Sequence, residues 1–113
     1  MKIITKTKPI EKAFEKQGDT SQMEMSQIKI IMKLFNPCGA ETWYLYEKED
    51  EDIYWGFVNL GDPEMAEMGT VSMNELTSLR LPFGLKIERD TSFEPFSMTL
   101  EEVYNKIKAG GHV

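Results

Sequence analysis

The chain has 113 residues, is 41% hydrophobic and 28% charged, and carries a net charge of -6. That is enough for one domain with one core, and the composition is that of a folded chain rather than a disordered one. No apolar run approaches the roughly 20 residues of a membrane helix, "MKIITKTKPI" lacks the apolar centre of a signal peptide, and the lone Cys38 has no disulfide mate, so the expectation is a cytoplasmic protein with a single domain over residues 1–113.

In chain order, "PIEKAFEKQG" opens on Pro9 and closes on Gly18, the usual brackets of a short helix, with Ile10, Ala13 and Phe14 on one face. "DTSQMEMSQ" is a polar connector. "QIKIIMKLF" alternates, which predicts a strand with Ile28, Ile30, Met32 and Leu34 inward, Lys29 and Lys33 on the other side, and Ile31 and Phe35 giving that side partial cover. Pro37 and Gly39 make a turn. "TWYLYEK" and "IYWGFVNL" then read as a hairpin of aromatic-rich strands around an acidic loop, with Gly56 marking a bulge or a close approach by a large neighbour such as Trp43.

"GDPEM" turns the chain into one more short strand, "AEMGTVSM". Ser72 with Glu75 reads as a capping box that starts a short helix through Leu76 and Leu79. An edge strand is predicted at Leu85 to Arg89. The last helix is the best specified: Thr99 as N-cap, Glu102 as its reciprocal partner, Met98 stapling to Val103, an apolar stripe at Leu100, Val103, Tyr104 and Ile107, and Gly110 as the stop. The fold class is therefore α+β: an antiparallel sheet of about four to five strands with N-terminal and C-terminal helices and one short internal helix.

Charge is unevenly spread. Residues 1–36 hold seven lysines against four acids, and residues 37–113 hold six cations against fifteen acids, so +3 and -9. The basic run Lys2, Lys6, Lys8, Lys12 and Lys16 reads as a solvated face, and no direct nucleic-acid binding is expected, because the aromatic set around Trp43 and Trp55 has acidic rather than basic neighbours. No glycine-rich phosphate loop, paired-cysteine zinc pattern or metalloprotease helix is present. The only histidine, His112, sits near the end of the chain, so no catalytic set, metal or cofactor is predicted.

Carboxylates remain. Glu47 through Asp52 form an acidic loop without the spacing of a calcium hand. Glu64 and Glu67 flank a turn where they would face a cleft. Glu88 and Asp90, two apart on an extended segment, point to one side with Arg89 opposite. Such a pair serves either as a structural ion-pair corner or as a site in which two carboxylates shift each other's titration.

Three stretches, "IMKLFNPCGAETWYLYE", "DIYWGFVNLGDPEMAEMGTVSMNEL" and "GLKIERDTSF", occur in order over roughly residues 28–93 and resemble the bacterial family known as domain of unknown function 2958, carried largely on plasmids and integrative conjugative elements. Trp43, Glu47, Gly56, Glu67, Gly69, Glu75, Leu76, Glu88, Arg89 and Asp90 match the family pattern by position, and the chain departs from it at Thr91 and Ser92, where the family usually has an apolar residue and an aromatic or histidine. The resemblance implies a small α+β accessory protein of a mobile element and carries no catalytic residues over. The leading expectation is a non-enzymatic domain, monomer or homodimer, that binds a protein partner and no membrane, with Trp43, Glu47, Glu67, Glu88, Arg89 and Asp90 as candidate binding residues. The alternatives are an acidic DNA mimic acting against restriction enzymes, and a small enzyme built on Glu88 and Asp90, with Glu67 assisting and Arg89 holding an anion.

Overall fold

A computed structural model describes residues 7–113; of the basic N-terminal run, Lys2 and Lys6 lie outside the described residues. The first helix, α1, is Lys8–Gln17. Pro9 occupies its first turn, where a missing N–H costs nothing. Ile10, Ala13 and Phe14 are its buried face, and Gly18, at φ 64, ends it by donating its N–H to the Phe14 carbonyl.

Five strands follow: β1 Met32–Phe35, β2 Thr42–Lys48, β3 Ile53–Asn59, β4 Glu67–Ser72 and β5 Glu88–Arg89. They form one antiparallel sheet in the order β4-β3-β2-β1-β5. The short helix α2, Met73–Ser78, links β4 to β5, and α3, Leu100–Lys108, closes the described chain. Helices cover both faces of the sheet, so both faces have apolar cores. On one, α1 and α2 bury Phe14, Leu34, Trp43, Leu45, Tyr54 and Leu76, and the Phe14 and Tyr54 rings meet edge-on at 5.2 Å. On the other, α3 packs Leu100, Val103 and Ile107 on Ile30, Tyr44 and Phe57. Full burial of each such side chain is worth about 1.5–3 kcal/mol.

The α+β expectation holds, and α3 carries the predicted reciprocal cap between Thr99 and Glu102. Local expectations need correction. Residues Ile28 to Phe35 are not one strand: Ile28 and Ile30 bury on the α3 face, whereas Ile31, Met32 and Leu34 bury on the α1 face. The chain changes partner between them, Ile30 exchanging hydrogen bonds with Met98 and Phe96, and Ile31 donating to Leu45. Three consecutive apolar residues carry no period that would show such a crossover.

Gly56 does lie against a bulge, since the β2–β3 register shifts between Leu45 and Glu47. The close neighbour is Leu45 rather than Trp43: a methyl group on Gly56 would come within 2.7 Å of the Leu45 side chain and 2.9 Å of the Tyr44 carbonyl. Ser72 accepts from the Glu75 N–H, with α2 ending at Ser78. The predicted edge strand is trimmed to two residues, because Pro82–Gly84 forms a tight turn ahead of it.

Candidate functional site

Residues paired across neighbouring strands share a face of a sheet. The registers therefore string Glu67, Val58, Trp43, Leu34 and Arg89 into one row on the α1 side, from edge to edge. The Arg89 end lies beside the core, and the Glu67 end opens. There a groove of about 570 Å³ runs between β4 and α2. Its floor is Trp43 (5% exposed), Val58 and Leu76. Its rim carries Asp62, Glu67 and Glu75, and none of these carboxylates forms an ion pair among the described residues. Gly69 lines the groove, and nothing stands within 4 Å of where its Cβ would be.

The surroundings are more apolar than a solvated surface requires. Leu60 (67% exposed), Met65 (74%) and Met68 stand on the groove wall. Leu60 and Met65 are held by the turn after β3, in which the Asp62 carboxylate accepts from the Glu64 N–H and caps a short helical turn at Pro63–Met65, while Met68 lies on the edge strand β4 opposite Phe57. β4 itself is a sheet edge six residues long, without proline or lysine. Natural edges usually carry such guards, because unpaired N–H and C=O groups invite another strand.

A second apolar feature follows α2. Leu81 donates its N–H to the Leu85 carbonyl, closing a tight turn that holds Phe83 at φ 63 and 95% exposed. A left-handed backbone costs a non-glycine residue about 1–2 kcal/mol, and here no burial of the ring offsets it.

The charged triplet is divided among different jobs. Asp90 accepts from the N–H and the hydroxyl of Ser92 at 3.0 and 2.6 Å, and pairs with Lys33 at 3.4 Å. The Ser92 hydroxyl chiefly, with Lys33 adding to it, holds the Asp90 carboxyl below its ordinary value of 3.8, so the group is an anion and not an acid catalyst at neutral pH. The Asp90 corner takes its cation from β1. The Lys33 ammonium, only 14% exposed, also donates to the Val113 carbonyl and lies 5.9 Å from the Tyr44 ring. Burial pushes the Tyr44 phenol up. Glu88 is half-buried on the Phe35 side, and Arg89 on the opposite face has a buried Nε without a hydrogen-bond partner among the described residues.

The six candidate residues thus fall into separate places. Trp43 and Glu67 meet in the groove, joined there by Glu75, Leu76 and Gly69. Asp90 borders a cavity of about 520 Å³ beside Lys33, Tyr44 and His112. Glu47 accepts from the N–H and the hydroxyl of Thr20 at 2.9 and 2.6 Å, which fixes the connector after α1 onto β2. β4 and β5 are opposite edges of the sheet, four strand spacings or roughly 19 Å apart, so Glu67 does not join Glu88 and Asp90. The acidic hairpin loop is likewise occupied: Asp50 accepts from Asp52 and Ile53, Asp52 accepts from Ser72 and Asn74, and Lys48 binds Glu11 and Glu51. These carboxylates tie the β2–β3 loop to α1 and α2.

Sequence reasoning missed Leu60, Met65, Met68 and Phe83. The available signal was their setting, bulky apolar residues inside glycine- and proline-punctuated turns, where nothing in the alternation places them inward.

A family model described as "Protein of unknown function (DUF2958)" matches residues 4–112. No curated protein and no solved structure matches the chain. No helix among the described residues is long and apolar enough to cross a membrane.

Proposed function

The chain belongs to the DUF2958 family, and from that premise we propose that it is a non-enzymatic protein-interaction domain, working in the cytoplasm as an accessory protein of a mobile genetic element. The partner contributes an extended segment that adds to the free edge of β4 and lowers apolar side chains into the Trp43 groove, with its lysines or arginines meeting Glu67 and Glu75. The observation that carries this reading is the clustering of exposed Leu60, Met65 and Met68 on the groove wall, against the free edge. Contiguous apolar exposure rimmed by polar groups marks interaction sites on soluble proteins. The mobile-element setting rests on the family resemblance alone.

Capture from a host carrying the element, with the wild type and a Leu60→Ser, Met65→Ser, Met68→Ser variant as parallel baits, tests the proposal. A partner retained by the wild type and lost with the variant supports it. Equal recovery with both baits, or nothing above background with either, sinks it.

The enzyme alternative is left with Glu88 and Asp90 and without Glu67, and the latter of the pair is engaged by Ser92 and Lys33. The DNA-mimic alternative draws on the -9 of residues 37–113; the hairpin acids Asp50 and Asp52 stay anionic and are held in place by hydrogen bonds within the fold.

A further inference from the structure

The loop between α2 and β5, Leu79 to Lys86, is the charge opposite of the groove. Between Glu75 and Glu88 there is no acidic residue, and the loop carries Arg80 and Lys86, both exposed and without an ion pair among the described residues. Its apolar tip is Phe83, supported by exposed Leu79 and Leu85. The base is firm: Leu81 packs on the core, Ile87 is buried, and the Leu81–Leu85 hydrogen bond of 3.0 Å closes the turn. The result is a basic knob ending in an aromatic ring.

The groove is the matching socket. Its floor of Trp43, Val58 and Leu76 is apolar, its rim of Asp62, Glu67 and Glu75 is anionic and free of ion pairs among the described residues, and its volume of about 570 Å³ admits a phenyl ring with a neighbouring leucine. Aromatic residues seated in apolar pockets are the usual anchors of interfaces, and complementary charge at the rim sets orientation.

We propose that two copies of this chain associate by seating the Phe83 knob of each in the Trp43 groove of the other. A two-fold pair makes the same contact twice from one knob and one socket. Like charge opposes the rival arrangements, groove against groove and knob against knob. The inference rests on reading the groove as a binding surface, and it adds regulation: self-pairing fills the groove that a partner segment needs, so capture competes with dimerisation.

Sedimentation velocity of the purified chain over a wide concentration series provides the test. The wild type shifts from monomer to dimer, less so at high salt, where exposed charge pairs are screened. Phe83→Gly, which removes the ring and suits the left-handed backbone, weakens association by about tenfold or more, the loss of one anchor counted twice. Glu67→Lys with Glu75→Lys, and separately Arg80→Glu with Lys86→Glu, each leave monomers, because knob and socket then carry one sign. Mixing these two charge-reversed proteins restores a dimer, since every knob again meets an opposite socket. A wild type that stays monomeric throughout, a Phe83→Gly variant that dimerises like the wild type, or a folded mixture that stays monomeric overturns the proposal. The partner reading fails separately: Phe83→Gly leaves the groove open, and as capture bait it retains at least as much partner as the wild type. A dimer that captures nothing with either bait refutes the partner reading and leaves self-pairing standing.

Discussion

The Glu88–Arg89–Asp90 triplet gives a sharp quantitative test, because the structure assigns its three members different energetic signs. Replacing Asp90 by alanine removes two hydrogen bonds from Ser92 and the pairing with Lys33. Hydrogen bonds to charged groups are worth about 1.5–3 kcal/mol in net stability. The corner is partly exposed, and Lys33 keeps its bond to the Val113 carbonyl, which places the loss near the lower half of that range, about 2 kcal/mol, or roughly 8 °C in Tm for a chain of this size. Glu88→Ala removes a half-buried carboxylate for which no ion pair is formed among the described residues, and its expected change lies within about 0.5 kcal/mol. Arg89→Met removes a buried Nε that has no hydrogen-bond partner among the described residues, and is neutral or stabilising by up to about 1 kcal/mol, since an unsatisfied buried donor works against folding.

The pH dependence separates the same residues. Asp90 has a folded-state pKa below its ordinary 3.8, so its contribution is fully present above that value and fades as pH falls through the folded-state pKa. The gap in stability between wild type and Asp90→Ala is therefore widest at neutral pH and narrows below pH 3.8. Urea unfolding of the four proteins at neutral and acid pH, followed by circular dichroism, supplies the numbers. A Glu88→Ala loss equal to that of Asp90→Ala, or a gap that fails to narrow in acid, would refute the assignment.

Other perturbations have equally definite outcomes. Gly56→Ala drives a methyl into the Leu45 side chain and the Tyr44 carbonyl in the middle of the sheet and should lower stability by about 1–3 kcal/mol or more in chemical denaturation. Gly69→Ala meets open space, so its midpoint is unchanged or slightly raised while partner affinity falls as the groove loses depth. Gln17→Ala breaks the amide bridge that receives the Lys29 N–H and donates to the Lys29 and Tyr46 carbonyls; about 2 kcal/mol is expected, because part-buried backbone groups lose their partners, and hydrogen exchange at Lys29 rises with it. Phe83→Gly relieves a left-handed backbone and raises the unfolding free energy of the monomer by about 1 kcal/mol in chemical denaturation.

Much of the architecture was legible because several elements announce their own ends. Pro9 and Gly18 frame α1, Thr99 with Glu102 starts α3, and an acidic turn between two aromatic runs gives the β2–β3 hairpin. The crossover at Ile30 and Ile31 was not legible, since apolar residues in succession fit either face of a sheet. Trp43 and Glu67 were chosen by family pattern, and the strand registers bring them into one row. Asp90's partner could not be read from the sequence: Lys33 lies on another strand, and its proximity exists only once β5 docks on β1. Exposure is hardest of all to infer, for Leu60, Met65 and Phe83 look like core residues by type and become surface only through turns whose backbone geometry is set by neighbours.

The two tryptophans occupy opposite sides of the sheet. Trp43 forms the groove floor on the α1 face, and Trp55 packs on the α3 face with its indole N–H donating to Glu49. The protein therefore carries its own optical gauge. An occupant of the groove changes the emission of Trp43 and leaves Trp55 as an internal reference, so Trp55→Phe isolates the reporting signal without a label. In that background, the intrinsic fluorescence of the unlabelled chain becomes a direct titration of whatever sits over Trp43.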